Sequence, residues 1–129
     1  MKNLKSFMVL LIAQLLLAGV VFASEIKTFN QEEFDEAKKS GDVILLDFYA
    51  TWCPTCKKQQ PIIKEVLSQE QFSSVVAFKV DYDSATDLKA EYKIPRQSTL
   101  VVLKGDQEKG RSIAPTTKEA ITELLNKGF

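Results

Sequence analysis

The stretch LLDFYATWCPTCKKQQP, Leu45–Pro61, contains both cysteines of the chain and joins two different hydrophobic patterns. Its first residues belong to the run DVILLDFYA, 42–50, and such a continuous apolar run is typical of a strand buried on both faces. From Cys53 to about Gln69 the apolar residues recur at helical spacing. Pro61 lies inside this pattern, where a proline is expected to kink the helix. The stretch predicts a buried strand leading directly into a helix opened by a cysteine.

The rest of the chain alternates between helix and strand patterns. Asn30 is expected to cap a first helix, with Glu33 in a capping box and Gly41 at its end. Alternation in the first part implies parallel strands, and the last two strands imply a hairpin. The sequence therefore predicts an α/β fold with a mixed central sheet flanked by helices. The further elements are a short strand at 25–29, strands within 74–83, 98–106 and 109–115, and helices within 84–93 and 116–129.

Capping residues also predict where the two later helices begin. Ser84 is expected to cap the helix of 84–93. Thr116 and Glu119 are expected to form a capping box for the last helix.

The first 23 residues have the layout of a secretory signal peptide. Lys2 and Lys5 precede an apolar run of 7–23, and Ala23 fits the small residue before a cleavage site. Cleavage would leave one domain, 24–129, in the bacterial periplasm or secreted. The alternative is an uncleaved membrane anchor, for which the run is at the short end.

Composition is that of an ordinary globular domain. The 129 residues are 45% hydrophobic and 26% charged, with a formal net charge of zero. Because no broad basic surface is indicated, we expect no nucleic acid as a partner. The chain contains no histidine, which excludes histidine metal sites, Ser-His-Asp triads and Cys-His proteases.

The cysteine spacing suits redox chemistry. Cys53 lies at the predicted helix N-terminus, where unpaired N–H groups and the helix dipole stabilise a thiolate. Cys56 follows one turn later on the same face, within reach of a disulfide back to Cys53.

Other interpretations of the pair stay open. A disulfide that closes so short a loop adds little entropic stabilisation, so a purely structural staple in a binding module is the weaker one. A closed zinc site needs further ligands, and the chain has neither a third cysteine nor a histidine. Two thiolates can hold Cu(I), so a copper-binding or copper-delivery module that uses Cys53 and Cys56 is an alternative.

The segment resembles the active site of thioredoxin-like proteins. The resemblance is carried by the motif W-C-x-x-C-K, the aspartate six residues before the first cysteine and the proline five after the second. The order of elements over 25–129 is also similar to the thioredoxin fold. The resemblance implies a thiol–disulfide oxidoreductase whose redox group is the Cys53–Cys56 disulfide, with no other cofactor.

The resemblance also implies a role for each matching residue. Cys53 corresponds to the attacking cysteine and Cys56 to the resolving one. Asp47 corresponds to a buried aspartate that takes the proton from the second cysteine, and Lys79 to a lysine that pairs with this aspartate. The other residues expected to support the site or contact substrate are Trp52, which would shield it, Pro61, which would kink the helix, and Pro54, Thr55, Lys57, Ser98 and Thr99.

One departure from the family concerns a cis-proline that precedes a threonine and faces the disulfide. Within YKIPRQSTLVVLKG, the favoured alignment puts Ser98 in this position before Thr99, and a rival alignment puts Pro95 there. A cis bond before serine would cost about 3 kcal/mol, so a trans bond is expected. The family's proline helps to dock substrate and to keep metals off the cysteines, so serine would alter both properties.

The residues between the cysteines indicate a direction of electron flow. Strong oxidants of the family carry a histidine there, which stabilises the thiolate, whereas Thr55 has no charge to do so. A less stabilised thiolate favours the disulfide and a lower reduction potential. We therefore expect an exported, monomeric reductant of protein disulfides that a membrane electron donor recharges.

Overall fold

The computed structural model describes residues 23–129 together with Gly19. Over this part of the chain the elements follow the order β1-α1-β2-α2-β3-α3-β4-β5-α4, with a 3-10 helix after α2. The strands are Ile26–Thr28 (β1), Val43–Tyr49 (β2), Val76–Asp81 (β3), Thr99–Lys104 (β4) and Gln107–Ile113 (β5). The helices are Gln31–Lys39 (α1), Pro54–Leu67 (α2), Thr86–Glu91 (α3) and Lys118–Asn126 (α4), and the 3-10 helix is Glu70–Phe72.

The strands form one mixed sheet in the order β1-β3-β2-β4-β5. β1 and β2 both pair with β3 in parallel, whereas β4 is antiparallel to both β2 and β5. This confirms the predicted thioredoxin fold with its parallel part and its late hairpin. β2 is the central strand, and Asp47 on it lies opposite Lys79 of β3 and Leu100 of β4.

Helices cover both faces of the sheet, which explains why the sequence of β2 is a continuous apolar run. Val43 and Leu45 pack in a cluster with side chains of α2 and α4. Ile44, Leu46 and Phe48 pack in a second cluster with side chains of α1 and α3. Because side chains alternate along a strand, Asp47 shares the face of Leu45 and is directed at the layer of α2 and α4.

The helix caps are partly as predicted. The side chain of Asn30 accepts a hydrogen bond from the Glu33 backbone N–H at 3.0 Å, as expected of a cap. The predicted cap Thr116 is wrong, because Thr117 caps α4 by accepting from the Ala120 N–H. The predicted cap Ser84 is also wrong. Its hydroxyl donates to Asp81, and α3 begins after Ala85 without a side-chain cap.

The predicted signal peptide of 1–23 lies almost entirely outside the described residues. Among the residues that the structure describes, no helix has the length and the apolar character needed to cross a bilayer.

Candidate active site

The end of β2 and the start of α2 position the two cysteines. After Tyr49 the chain turns, and the Cys53 N–H donates to the Ala50 carbonyl at 3.2 Å. Cys53 is the N-cap of α2, and its sulfur accepts from the Cys56 backbone N–H at 3.1 Å. Pro54 occupies the first helical position, where its missing N–H costs no helical hydrogen bond. Cys53, the expected attacking cysteine, is thus held at the positive end of the helix dipole.

The two cysteines form a disulfide with a Cα–Cα distance of 5.3 Å. Both are closed to solvent, since Cys53 is 1% exposed and Cys56 is 0% exposed. Trp52 beside them is 57% exposed, and its indole N–H donates to the Asp83 carboxylate at 2.9 Å. The tryptophan is therefore fixed at the surface by the loop after β3.

Ser98 is the residue that lies against the disulfide. Its hydroxyl oxygen is 3.1 Å from the Cys53 sulfur and 3.2 Å from the Cys56 sulfur. Its backbone has a φ of 68°, in the left-handed region that serine rarely adopts. No peptide bond is cis among the described residues, so Pro95 is trans, and it is exposed.

Asp47 is fully buried beneath α2. One carboxylate oxygen, Oδ2, accepts a hydrogen bond of 2.6 Å from the Gln60 side-chain amide, and the other, Oδ1, has no partner among the described residues. Burial raises the pKa of Asp47 from 3.8 to about 6, while the Gln60 hydrogen bond and the positive charge of Lys79 oppose that rise. A carboxyl group with such a pKa can accept and return a proton near neutral pH.

The hydrogen bond from Gln60 also indicates where Asp47 lies relative to Cys56, the expected resolving cysteine. Cys56 and Gln60 are four residues apart on α2, so they project from the same face of the helix. Because Gln60 bonds to Asp47, the carboxyl group lies under the face that carries Cys56.

Lys79 does not form the ion pair that the resemblance implied. It lies opposite Asp47 in the register of β2 and β3, yet no salt bridge within 4.0 Å joins these two described side chains. Its ammonium lies over the Tyr49 ring, 4.0 Å from the ring centroid. Lys79 thus acts on Asp47 through space, as a cation that favours the carboxylate.

The other predicted residues surround this centre. Thr55 is partly buried, whereas Lys57 and Pro61 are exposed. α2 runs through Pro61 as one helix from Pro54 to Leu67. Thr99 is buried, and its hydroxyl donates to the Arg96 carbonyl at 2.8 Å rather than to a sulfur.

Sequence reasoning missed three polar residues of the site, namely Gln59, Gln60 and Asp83. Gln59 is fully buried, and its amide donates to the carbonyls of Ser98 and Pro115 at 3.1 and 3.0 Å. The available signal was the helical spacing from Cys53 and Cys56, which puts Gln59 and Gln60 one turn further along α2.

Comparison with known proteins agrees with this geometry. The family model described as Thioredoxin matches residues 25–127. A thioredoxin H-type of Fagopyrum esculentum is 34% identical over 83% of this chain and 90% of its own. A thioredoxin of Mycoplasma genitalium is 36% identical over 80% of this chain and 97% of its own. The crystal structure of Trxlp from Edwardsiella tarda has a TM-score of 0.75 and 31% identity, covering 78% of this chain and 98% of that one.

Proposed function

The chain belongs to the thioredoxin family and is a thiol–disulfide oxidoreductase, and we propose that it is an exported reductant of protein disulfides. The observation that carries the proposal is the Cys53–Cys56 disulfide at the start of α2, above a buried carboxyl group with a free oxygen. The uncharged Thr55 between the cysteines favours the reducing direction, because it does not stabilise the thiolate as a charged neighbour would.

The reaction needs two exchanges of sulfur partners. The Cys53 thiolate attacks one sulfur of a substrate disulfide and forms a mixed disulfide with it, while the other substrate sulfur leaves as a thiolate and takes up a proton. The Cys56 thiol gives its proton to Asp47 and attacks the Cys53 sulfur. This step releases the second substrate thiol and restores the Cys53–Cys56 disulfide. Two electrons pass to the substrate in each cycle.

The reduction potential tests the direction. We expect the Cys53–Cys56 couple of 24–129 to equilibrate with dithiothreitol or glutathione buffers near the value of thioredoxin, about −270 mV. The fluorescence of Trp52, the only tryptophan and the neighbour of Cys53, reports the redox state. A value near about −120 mV would reverse the direction and make the protein a donor of disulfides. A disulfide inert to dithiothreitol in the folded protein would instead indicate a stapled binding module.

Export is proposed from the signal-peptide pattern of 1–23. The described structure supports a domain that begins near the proposed cut, because the Ser24 hydroxyl already donates to the Val75 carbonyl. In an exported compartment, which is oxidising, a reductant needs a membrane electron donor. We expect the full chain expressed in a bacterium to be recovered from the periplasm as a monomer beginning at Ser24. A chain retained in the membrane with its first residues intact would favour the anchor.

The copper alternative depends on the same two sulfurs. Among the described residues no group of three or more histidine, cysteine or acidic side chains could hold a metal ion, so Cu(I) would depend on Cys53 and Cys56 alone. An anaerobic Cu(I) titration of the reduced protein tests this function. Binding no tighter than that of a model dithiol peptide would contradict it.

A further inference from the structure

The Ser98 hydroxyl is a polar group placed between two reacting sulfurs. Its oxygen is within 3.2 Å of both, and the side chain is fully buried. Neither sulfur of a disulfide is a strong hydrogen-bond acceptor. Reduction changes this, because a thiolate is charged and accepts much stronger hydrogen bonds. The hydroxyl therefore stabilises the reduced protein more than the oxidised one.

The protein holds Ser98 in this place by its backbone. The Ser98 N–H donates to the Phe48 carbonyl at 2.8 Å, and its own carbonyl accepts from the Ala114 N–H at 3.0 Å. The Gln59 amide adds a second hydrogen bond to that carbonyl and a further one to Pro115. These contacts come from β2, α2 and the segment after β5, so they fix a strained left-handed residue from three sides.

We propose that the Ser98 hydroxyl donates a hydrogen bond to the Cys53 thiolate and thereby sets how reducing the couple is, with Gln59 as a positioning residue. This inference rests on the proposed redox function of the same cysteines. Reduction breaks the S–S bond, and a thiol donor such as dithiothreitol supplies the two electrons. Cys56 takes up a proton to become a thiol, while Cys53 remains a thiolate bonded to the Ser98 hydroxyl. Ser98 thus opposes the effect of Thr55 and raises the potential.

Variants at Ser98 test the role of the hydroxyl. We expect Ser98→Ala and Ser98→Gly to favour the disulfide about tenfold more than the unaltered protein, which is a potential about 30 mV more negative. We also expect the pH at the midpoint of Cys53 thiolate formation, followed by ultraviolet absorbance, to rise by about one unit, which is the same tenfold factor. Both variants retain Asp47, the buried titratable side chain on β2 that lies beneath the cysteines.

Ser98→Gly keeps the test usable if Ser98→Ala does not fold, because glycine accepts a φ of 68° without strain. Ser68→Ala is the matched control. It removes a hydroxyl that bonds to Glu65 at the far end of α2, and it should leave both readouts unchanged. A shift in Ser98→Ala but not in Ser98→Gly would assign the effect to backbone strain and overturn the proposal. The absence of a shift in both folded variants would overturn it as well.

Gln59→Leu separates positioning from direct contact. It should shift the potential in the same direction by a smaller factor, and it should add no further shift to Ser98→Ala, because it acts through the hydroxyl. Additive shifts would contradict the positioning role. The potential of the unaltered protein tests the reductant function, whereas the differences between variants test Ser98, so the two can fail separately.

Discussion

At the scale of single residues, the active site depends on a few polar side chains in an apolar frame. Asp47, Gln59 and Ser98 are fully buried, and Asp47 and Gln59 each leave one oxygen without a hydrogen-bond partner. An unsatisfied buried oxygen costs about 1–3 kcal/mol, so its presence calls for an explanation. In the proposed mechanism, the free oxygen of Asp47 is the atom that accepts the proton of Cys56.

Gln60 is expected to set the pH range in which Asp47 works. Its hydrogen bond to Oδ2 lowers the pKa of Asp47, so Gln60→Leu should raise that pKa above about 6. A hydrogen bond to a charged group is worth about 1.5 kcal/mol or more, which corresponds to about one pKa unit. The rate of disulfide reduction should therefore begin to fall, on the acid side of its pH profile, at a pH about one unit higher than in the unaltered protein.

Gln71→Leu is the control for Gln60→Leu. Gln71 is exposed beyond the C-terminus of α2, and within the part of the chain that the structure describes its side chain donates only to Gln69. Its loss should leave the pH profile in place. An acid limb that does not move in Gln60→Leu would mean that Asp47 is not the group that titrates in the reaction.

Motif spacing located the central residues of the site, but it could not locate the side chains that contact them from distant parts of the chain. Cys53, Cys56 and Asp47 lie within ten residues of one another, and a continuous strand–helix pattern fixes their relation. Asp83 accepts a hydrogen bond from Trp52 although it lies in a loop 31 residues later. Ser98 was expected to face the disulfide only from the resemblance to the family, and the pairing of β2 with β4 brings it to the sulfurs. Such contacts depend on the sheet order, which local patterns do not contain.

At the scale of secondary-structure elements, sequence predicted which elements form better than where they begin. Thr116 and Thr117 can both cap a helix, and the choice between them depends on how the chain leaves β5. α3 has only six residues and no side-chain cap, so no local signal marked its start. The 3-10 helix Glu70–Phe72 was not predicted, since it is a short extension after α2.

β5 begins two residues earlier than its sequence indicates. The pattern predicted a short edge strand at 109–115, whereas the strand is Gln107–Ile113. Its first residues are Gln, Glu and Lys, which rarely favour strands, but Gln107 and Glu108 pair with Lys104 and Leu103 of β4 directly after the turn at Gly105. The register between β4 and β5 shifts at this point, because Val102 pairs with Gly110 and the next residue, Leu103, pairs with Glu108. Backbone pairing with a neighbour therefore overrode local propensity.

At the scale of the whole molecule, the carboxyl group that we propose as the proton acceptor lies in the centre of the fold. Asp47 is on the central strand, on the face that packs against α2 and α4. A charge in this position must be removed from water when the chain folds, and the raised pKa expresses the resulting penalty on the carboxylate. Burial of the Asp47 carboxylate therefore lowers the stability of the protein at neutral pH.

This cost gives a measurable dependence of stability on pH. The folded protein binds the Asp47 proton more tightly than the unfolded chain does, so its stability falls as pH rises from 3.8 to about 6 and the penalty is complete above that range. The shift of about two pKa units corresponds to about 3 kcal/mol. Urea unfolding of the oxidised protein should show Asp47→Asn to be more stable by up to about 3 kcal/mol above pH 6, with the gain vanishing below 3.8. Because the exposed carboxylates titrate alike in both proteins, their effect cancels in the difference. A difference that does not change with pH would show that Asp47 titrates near its ordinary pKa in the folded protein and is no proton acceptor tuned by burial.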